Sequence, residues 1–163
     1  MDTKIGLFSP KDEIENKEVD ANFQMVFYSH SFTMEYESLM QRLAIPIDIC
    51  QCTDESPLFR IKALWDTGAM TSCISDKMAR KIGLKPIDNG IGVTPAGQIE
   101  IQYYFVDIYL SRDIVIPNIK VAGFPLEKHD TDFLIGMDVI KKGNLCIKST
   151  DGKTTIIFET TDQ

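Results

Sequence analysis

One carboxylate, that of Asp66, lies between an apolar run and a tight turn. The run is Ala63-Leu64-Trp65, and the turn continues as Thr67-Gly68-Ala69 before the stretch Met70-Thr71-Ser72. An apolar strand carries the acid to the turn and the glycine lets the backbone fold back, so the carboxylate is presented for acid or base chemistry. The alternative is an aspartate that only accepts hydrogen bonds from neighbouring turn amides, which is common.

A second apolar run ends in a glycine 70 residues beyond Asp66. The segment Phe133-Leu134-Ile135 is typical of a buried strand, and Gly136 ends it. A short helix is expected to run from Met137 to Lys142, where a following glycine stops it. Asp138 would cap that helix or pair with a basic residue.

Between these motifs lies a glycine-rich segment, from Asp88 to Gln98, which holds three glycines and Pro95. The ordinary interpretation is a hairpin, and the sharper one is a mobile lid over a cleft. The strand that follows, Ile99 to Leu110, is long enough to belong partly to such a lid. The turn could fall at residues 94–97 or at residues 89–92.

Short strands separated by turn residues make up most of the remaining sequence, which indicates an all-β, barrel-like domain with one or two short helices. We expect one strand from Phe23 to Phe32, whereas residues 33–43 could be a helix or an extended connection. One helix is predicted after the N-cap Ser75 and before Gly83. The other predicted strands are Ile45–Cys50, Leu58–Trp65, Ile114–Val121, Leu145–Lys148 and Thr154–Phe158.

The length of 163 residues suits one domain with its own core. We predict a mobile or loosely packed N-terminal extension of residues 1–22, which is rich in charge and poor in apolar periodicity. Residues 23–163 form the predicted domain.

The charge pattern argues against nucleic acid as a partner, because the net charge is -7 and no compact basic run is present. The sequence has neither a signal peptide nor an apolar stretch long enough to span a membrane, so we expect a soluble, cytoplasmic protein. The four cysteines lack metal-ligand spacing and are expected to be mostly buried thiols. No metal site is predicted.

Taken together, the ordered motifs resemble those of the retropepsin-like aspartic protease family. The resemblance spans about Ile45 to Phe158. It rests on Asp66-Thr67-Gly68-Ala69, the helix end Ile82-Gly83-Leu84, the turn Thr94-Pro95-Ala96-Gly97 and the run Leu134-Ile135-Gly136-Met137-Asp138. The family implies a closed acid-protease barrel in which the strand ending at Gly136 passes beside the catalytic turn.

The resemblance also implies the site residues of an aspartic endopeptidase. Asp66, Thr67 and Gly68 would be catalytic, and no metal or organic cofactor is needed. The hairpin would cover the substrate as a flap with its tip at residues 94–97. The implied substrate-binding residues are Ala69, Thr71, Thr94, Pro95, Ala96, Gly97 and Ile135. For Thr71 and Ser72, both a purely local hydrogen-bonding role and a substrate-facing role remain open.

Hydrolysis by this class needs two carboxyl groups that share a proton, and the sequence has a single Asp-Thr-Gly. The segment Asp130-Thr131-Asp132 lacks the glycine and the apolar lead-in. A second copy of Asp66 must therefore supply the other acid, which predicts a symmetric homodimer that cleaves a peptide or protein. The terminal segment Thr154–Phe158 could pair across the interface.

Two other interpretations stay open. The first is a catalytically silent binding or dimerisation module that keeps the protease fold. The second is a precursor in which residues 1 to about 30 cover the cleft until they are removed. The intact Asp66 motif favours an enzyme over the silent module.

Overall fold

The computed structural model describes residues 23–28, 30–53, 56–94 and 96–161. The predicted extension of residues 1–22 and Pro95 lie outside these ranges. The strands are β1 Phe23–Tyr28, β2 Ser31–Tyr36, β3 Ala44–Gln51, β4 Phe59–Trp65, β5 Cys73–Ser75, β6 Asp88–Thr94, β7 Gly97–Tyr109, β8 Val115–Phe124, β9 Phe133–Ile135, β10 Gly143–Thr150 and β11 Lys153–Thr160. The helices are α1 Asp76–Ile82, a 3₁₀ helix Leu126–His129 and α2 Met137–Ile140.

Six strands form a closed barrel in the order β3-β4-β9-β5-β8-β7, and β7 closes it by pairing with β3. The hairpin strand β6 extends from this barrel by pairing with β7 along its length. The prediction of an all-β, closed barrel with short helices is confirmed. Buried positions alternate along β4, where Ile61, Ala63 and Trp65 point into the core.

Helix α1 follows the local signals in the sequence. The Ser75 side chain accepts a hydrogen bond from the Met78 amide at 3.1 Å, which caps the first turn. Gly83 ends the helix with a φ of 78°, a left-handed conformation that glycine adopts without strain. The apolar face of the helix, which includes Ile82, is buried.

A second sheet, in the order β1-β2-β11-β10, joins the two ends of the described chain. The predicted single strand from Phe23 to Phe32 is wrong, because the chain turns between Tyr28 and Ser31 and forms a hairpin. The open choice for residues 33–43 resolves against a helix: β2 continues to Tyr36, and an irregular segment follows. The buried side chains in β2 alternate, and this period of two belongs to a strand.

Strand β11 lies inside this sheet and is hydrogen-bonded on both edges. It pairs with β10 along one edge and with β2 along the other. The predicted pairing of Thr154–Phe158 across an interface is therefore wrong, because no edge of that segment is free. The outer edge of the C-terminal hairpin belongs to β10 instead.

Three aromatic rings join the second sheet to the strand that carries the candidate acid. Trp65 of β4 packs on Phe158 at a centroid distance of 5.2 Å and on Phe32 at 6.5 Å. Phe32 and Phe158 have no exposed surface. The second sheet thus packs against Trp65 at the end of β4, one residue before Asp66.

The cysteine prediction is correct for two residues and wrong for the other two. Cys50 and Cys73 are buried, whereas Cys52 and Cys146 are exposed, and all four are free thiols. Cys146 lies on the edge strand β10, and Cys52 follows the end of β3. None of the helices in the described ranges is long and apolar enough to cross a bilayer.

Candidate active site

Asp66 lies at the junction of the two sequence motifs. Strand β4 runs parallel to β9, with Trp65 opposite Ile135. The pairing continues beyond the strands, because the Asp66 amide donates to the Ile135 carbonyl at 2.9 Å. The fold therefore brings together residues about 70 positions apart, and the half-buried Asp66 side chain stands at the end of that pair.

The turn after Asp66 is stabilised by its own carboxylate. The Gly68 amide donates to Asp66 Oδ1 at 2.9 Å, and the Ala69 amide donates to the Asp66 carbonyl at 3.2 Å. A Cβ atom on Gly68 would lie 3.2 Å from Oδ1, so glycine leaves the carboxylate room. Thr67 and Gly68 are exposed, and this side of the turn is open to a substrate or a second chain.

The loop beyond the turn is held by Asp138, whose role the sequence left open. Both Asp138 oxygens lie within 3.0 Å of the Ser72 amide nitrogen, and the Ser72 hydroxyl donates to Oδ1 at 2.7 Å. The same hydroxyl accepts from the Gly136 amide at 3.0 Å. Asp138 also accepts from the Val139 amide in the first turn of α2, so one carboxylate contacts this helix and anchors the loop.

Close backbone contact completes this clamp. The amides of Met137 and Asp138 donate to the carbonyls of Ala69 and Met70 at 2.8 Å and 3.2 Å. A Cβ atom on Gly136 would lie 2.8 Å from the Thr71 carbonyl carbon, which is closer than packing allows. Gly136 is thus required because the two segments touch. Residues 69–72 are fixed in position rather than free to move.

The glycine-rich hairpin turns at residues 94–97. Thr94 pairs with Gly97, the Thr94 hydroxyl donates to the Gly97 carbonyl at 2.9 Å, and it accepts from the Ala96 amide at 3.1 Å. Residues 89–92 lie inside β6, which excludes the alternative turn. Gly92 packs closely on Phe124, because an added Cβ would lie 2.7 Å from the ring.

A small apolar cluster connects this hairpin to the Asp66 strands. Its buried members are Cys73, Ile101, Ala122 and Leu126, and its partly buried members are Ile99, Tyr103, Phe124 and Leu134. The members on β7 come from one face of the hairpin, and Leu134 comes from β9. The cluster therefore connects the hairpin to strands β5 and β9 beside the Asp66 turn.

The predicted substrate contact at Ile135 does not fit its position. Its side chain has no exposed surface and belongs to the main core, whereas the half-buried Leu134 faces the small cluster. Neighbouring residues of a strand point to opposite faces, and this alternation could have identified Leu134 from the sequence. Ile135 contributes to the site through its backbone carbonyl, which accepts a hydrogen bond from the Asp66 amide.

The other predicted residues divide into two groups. Thr67, Gly68, Ala69 and Thr71 lie on the turn and the clamped loop beside Asp66, while Thr94, Ala96 and Gly97 lie at the hairpin tip. Sequence reasoning left Ser72 between a local hydrogen bond and a substrate contact and missed its bond to Asp138, because a bond between residues 66 positions apart leaves no local signal.

Cys73 adjoins the site and stays a neutral thiol. Burial, followed by the nearby charges of Asp138 and Asp66, raises its pKa to about 12. Its sulfur donates to the Thr71 carbonyl at 3.4 Å. Within the described ranges, no three His, Cys, Asp or Glu side chains are arranged to hold a metal ion.

Sequence comparison provides a family assignment. A family model described as "gag-polyprotein putative aspartyl protease" matches residues 59–142, about half of the chain. These residues include the Asp66 turn, the hairpin, Gly136 and Asp138. No curated protein matches the chain by sequence.

Several solved structures are similar to this chain at low sequence identity. A retropepsin-like aspartic protease from Rickettsia conorii matches at 15% identity and a TM-score of 0.51, covering 76% of this chain and 97% of its own. The retroviral protease-like domain of Ddi1 from Leishmania major matches at 20% identity and a TM-score of 0.47, with 76% and 97% covered. EIAV protease in complex with the inhibitor HBY-793 matches at 18% identity and a TM-score of 0.46, with 63% and 88% covered.

Proposed function

The chain belongs to the gag-polyprotein aspartyl protease family, and on this basis we propose that it is an endopeptidase whose active site forms between two copies of Asp66. The observation that carries the proposal is the bond from the Asp66 amide to the Ile135 carbonyl, which joins the two motifs. It fixes an acid at a turn that is open on one side. A structural aspartate would not need this exposure.

The proposed reaction uses two carboxyl groups in different protonation states. The ionised Asp66 takes a proton from water while the protonated Asp66 of the other copy hydrogen-bonds the scissile carbonyl. Hydroxide adds to the carbonyl carbon, and the C–N bond breaks as a proton passes to the leaving nitrogen. Two carboxylates about 3 Å apart cannot both ionise easily, so the pair shares one proton. We expect activity to be highest at mildly acid pH.

The second acid is proposed to come from another copy because the nearest sequence rival is engaged elsewhere. In the described chain, Asp130 pairs with Lys62 at 2.8 Å, and the Asp132 amide donates to the Lys62 carbonyl at 3.0 Å. Lys62 precedes Asp66 by four residues on one extended strand, or roughly 13 Å. A two-fold axis beside the Asp66 turn would instead place two identical carboxylates together.

The proposed substrate is an extended peptide held between the clamped loop and the hairpin. Ala69 and Thr71 are half-buried beside Asp66, and Thr94 to Gly97 would cover the peptide from above as a flap. Leu134 replaces Ile135 as the proposed side-chain contact. The apolar cluster supports a preference for apolar substrate side chains near the scissile bond.

The proposed compartment is the cytoplasm. Support comes from the four cysteines, which are all free thiols, as is usual in a reducing compartment. Fractionation of cells that make the protein would test this.

The direct test is the turnover of the Asp66→Asn variant. We expect loss of peptide hydrolysis with an unchanged circular dichroism spectrum and melting temperature, because the amide cannot take the proton from water. The matched control is Asp130→Asn, which alters the other Asp-Thr pair and should keep full activity. Undiminished hydrolysis by Asp66→Asn would refute the proposal.

A further inference from the structure

Met70 is conspicuous among the exposed apolar side chains of the described residues. Its exposed fraction is 86%, the largest among them, and Met137 is 38% exposed. A single exposed apolar residue is ordinary in a soluble protein. These two are not isolated, because the Asp138 amide, directly after Met137, donates to the Met70 carbonyl.

The backbone beneath these methionines is rigid. The Ser72 amide and hydroxyl bind Asp138, and Gly136 touches the Thr71 backbone, as described above. The chain therefore holds two exposed apolar side chains on neighbouring, hydrogen-bonded backbone segments. Leaving an apolar pair exposed has a free-energy cost that contact with a partner would remove.

The position of the pair identifies the partner. The hydrogen bond from the Ala69 amide to the Asp66 carbonyl folds the chain back, so the Met70 Cα lies within about 11 Å of the Asp66 Cα. A second copy that brings its own Asp66 into hydrogen-bonding distance must pass close to this loop. Residues beside a two-fold axis meet their own counterparts or near neighbours.

We propose that Met70 and Met137 form an apolar contact with a second copy of this chain and stabilise the dimer that assembles the Asp66 pair. The inference rests on the proposed function and adds the surface by which the copies associate. Methionine suits such a contact because its unbranched thioether side chain adapts to an irregular apolar surface.

The test compares dimer dissociation constants, measured by sedimentation velocity, for the wild type and the variants Met70→Lys, Met137→Lys and Met70→Leu. A charge placed twice in a symmetric apolar contact should raise the dissociation constant about tenfold or more, whereas leucine should keep it within about threefold. The control is Val115→Lys, which changes an exposed apolar residue at the start of β8. Val115 lies roughly 23 Å along that strand from Ala122, which pairs with Cys73 near the site.

Activity at rising protein concentration separates this inference from the proposed function. Met70→Lys should lose activity in dilute solution and regain wild-type kcat/KM when enough protein is present to form dimers. An unchanged dissociation constant would overturn the methionine contact, while the Asp66→Asn result would still decide the protease. A loss of kcat/KM that persists at every concentration would place Met70 on the substrate and equally overturn the contact.

Discussion

The backbone and the side chain of Asp66 make separate hydrogen bonds. Its amide is fixed by the Ile135 carbonyl, and its carboxylate accepts from the Gly68 amide. The Ile135 bond does not involve the charge of Asp66, and an asparagine Oδ1 could still accept from the Gly68 amide. Substitution by asparagine should leave those backbone bonds intact, which makes the Asp66→Asn variant a clean test of chemistry rather than of folding.

Asp138 is expected to position the loop beside Asp66 through its hydrogen bonds to Ser72. In Asp138→Asn the Oδ2 acceptor becomes an NH2 group 2.9 Å from the Ser72 amide nitrogen, so one donor faces another, at a cost of about 1–3 kcal/mol in the free energy of unfolding. The loop that holds Ala69 and Thr71 should also shift, which lowers kcat/KM. Chemical denaturation and peptide kinetics measure the two effects.

A double-mutant cycle provides the control for the Asp138 prediction. Ser72→Ala removes the hydroxyl that Asp138 and Gly136 share, so the double variant should cost less than the sum of the single variants. Strict additivity would show that the two side chains do not act as a unit.

The hairpin packs on the barrel at Gly92, where the absence of a side chain lets the two approach closely. Gly92 allows β6 to approach Phe124, and the apolar face of β7 continues into the small cluster. The proposed flap therefore depends on a small side chain at a close contact. Besides this packing, an exposed ion pair joins Asp88 at the start of β6 to Lys120 of β8 at 3.2 Å.

Gly92→Ala should weaken substrate binding. The added methyl would lie 2.7 Å from the Phe124 ring and 3.1 Å from Ile101, so the hairpin must move away from the barrel. Overpacking of this kind costs about 1–3 kcal/mol, and we expect KM to rise about fivefold or more. Phe124→Leu removes part of the ring that the methyl would meet. The rise in KM caused by Gly92→Ala should therefore be smaller in the Phe124→Leu background than in the wild type. An equal rise in both backgrounds would indicate that the contact does not control the hairpin.

For the whole molecule, the second sheet is part of the folded domain rather than an appendage. Phe32 and Phe158 support Trp65, and the Tyr36 hydroxyl donates to the Ala44 carbonyl. The precursor interpretation assigned residues 1 to about 30 to a removable segment. Removal to residue 30 would take away β1, which pairs with β2 over six residues.

Two truncations test this organisation. Deletion of residues 1–22 should leave the melting temperature and activity unchanged, since the proposed domain begins at residue 23. Deletion of residues 1–36 removes Phe32, Met34 and Tyr36 from the core and exposes the edge of β11. Burial of each such side chain is worth about 1.5–3 kcal/mol, a total comparable to the net stability of a domain. That variant should lose cooperative unfolding, and a stable, active product would contradict the assignment.

The parts that the sequence predicted are those with local signals. The Asp66 turn, the Ser75 cap, the Gly83 stop and the hairpin each depend on a few adjacent residues, and the spacing of Gly136 supported the barrel. The turn between β1 and β2 was missed because Ser29-His30-Ser31 contains no glycine, proline or asparagine to mark a hairpin turn. Contacts between residues far apart in the sequence, such as Ser72 with Asp138, could not be predicted from local patterns. The same holds for the position of β11 between β2 and β10.

The central claim, one active site shared by two chains, is tested most directly by calorimetric titration with a statine-type aspartic protease inhibitor. The account predicts one inhibitor bound per two chains, and no binding to Asp66→Asn, because only an assembled pair of carboxyl groups holds the inhibitor hydroxyl. Binding of one inhibitor per chain, or no binding by folded wild-type protein, would contradict it; the second result is the one expected of a catalytically silent module.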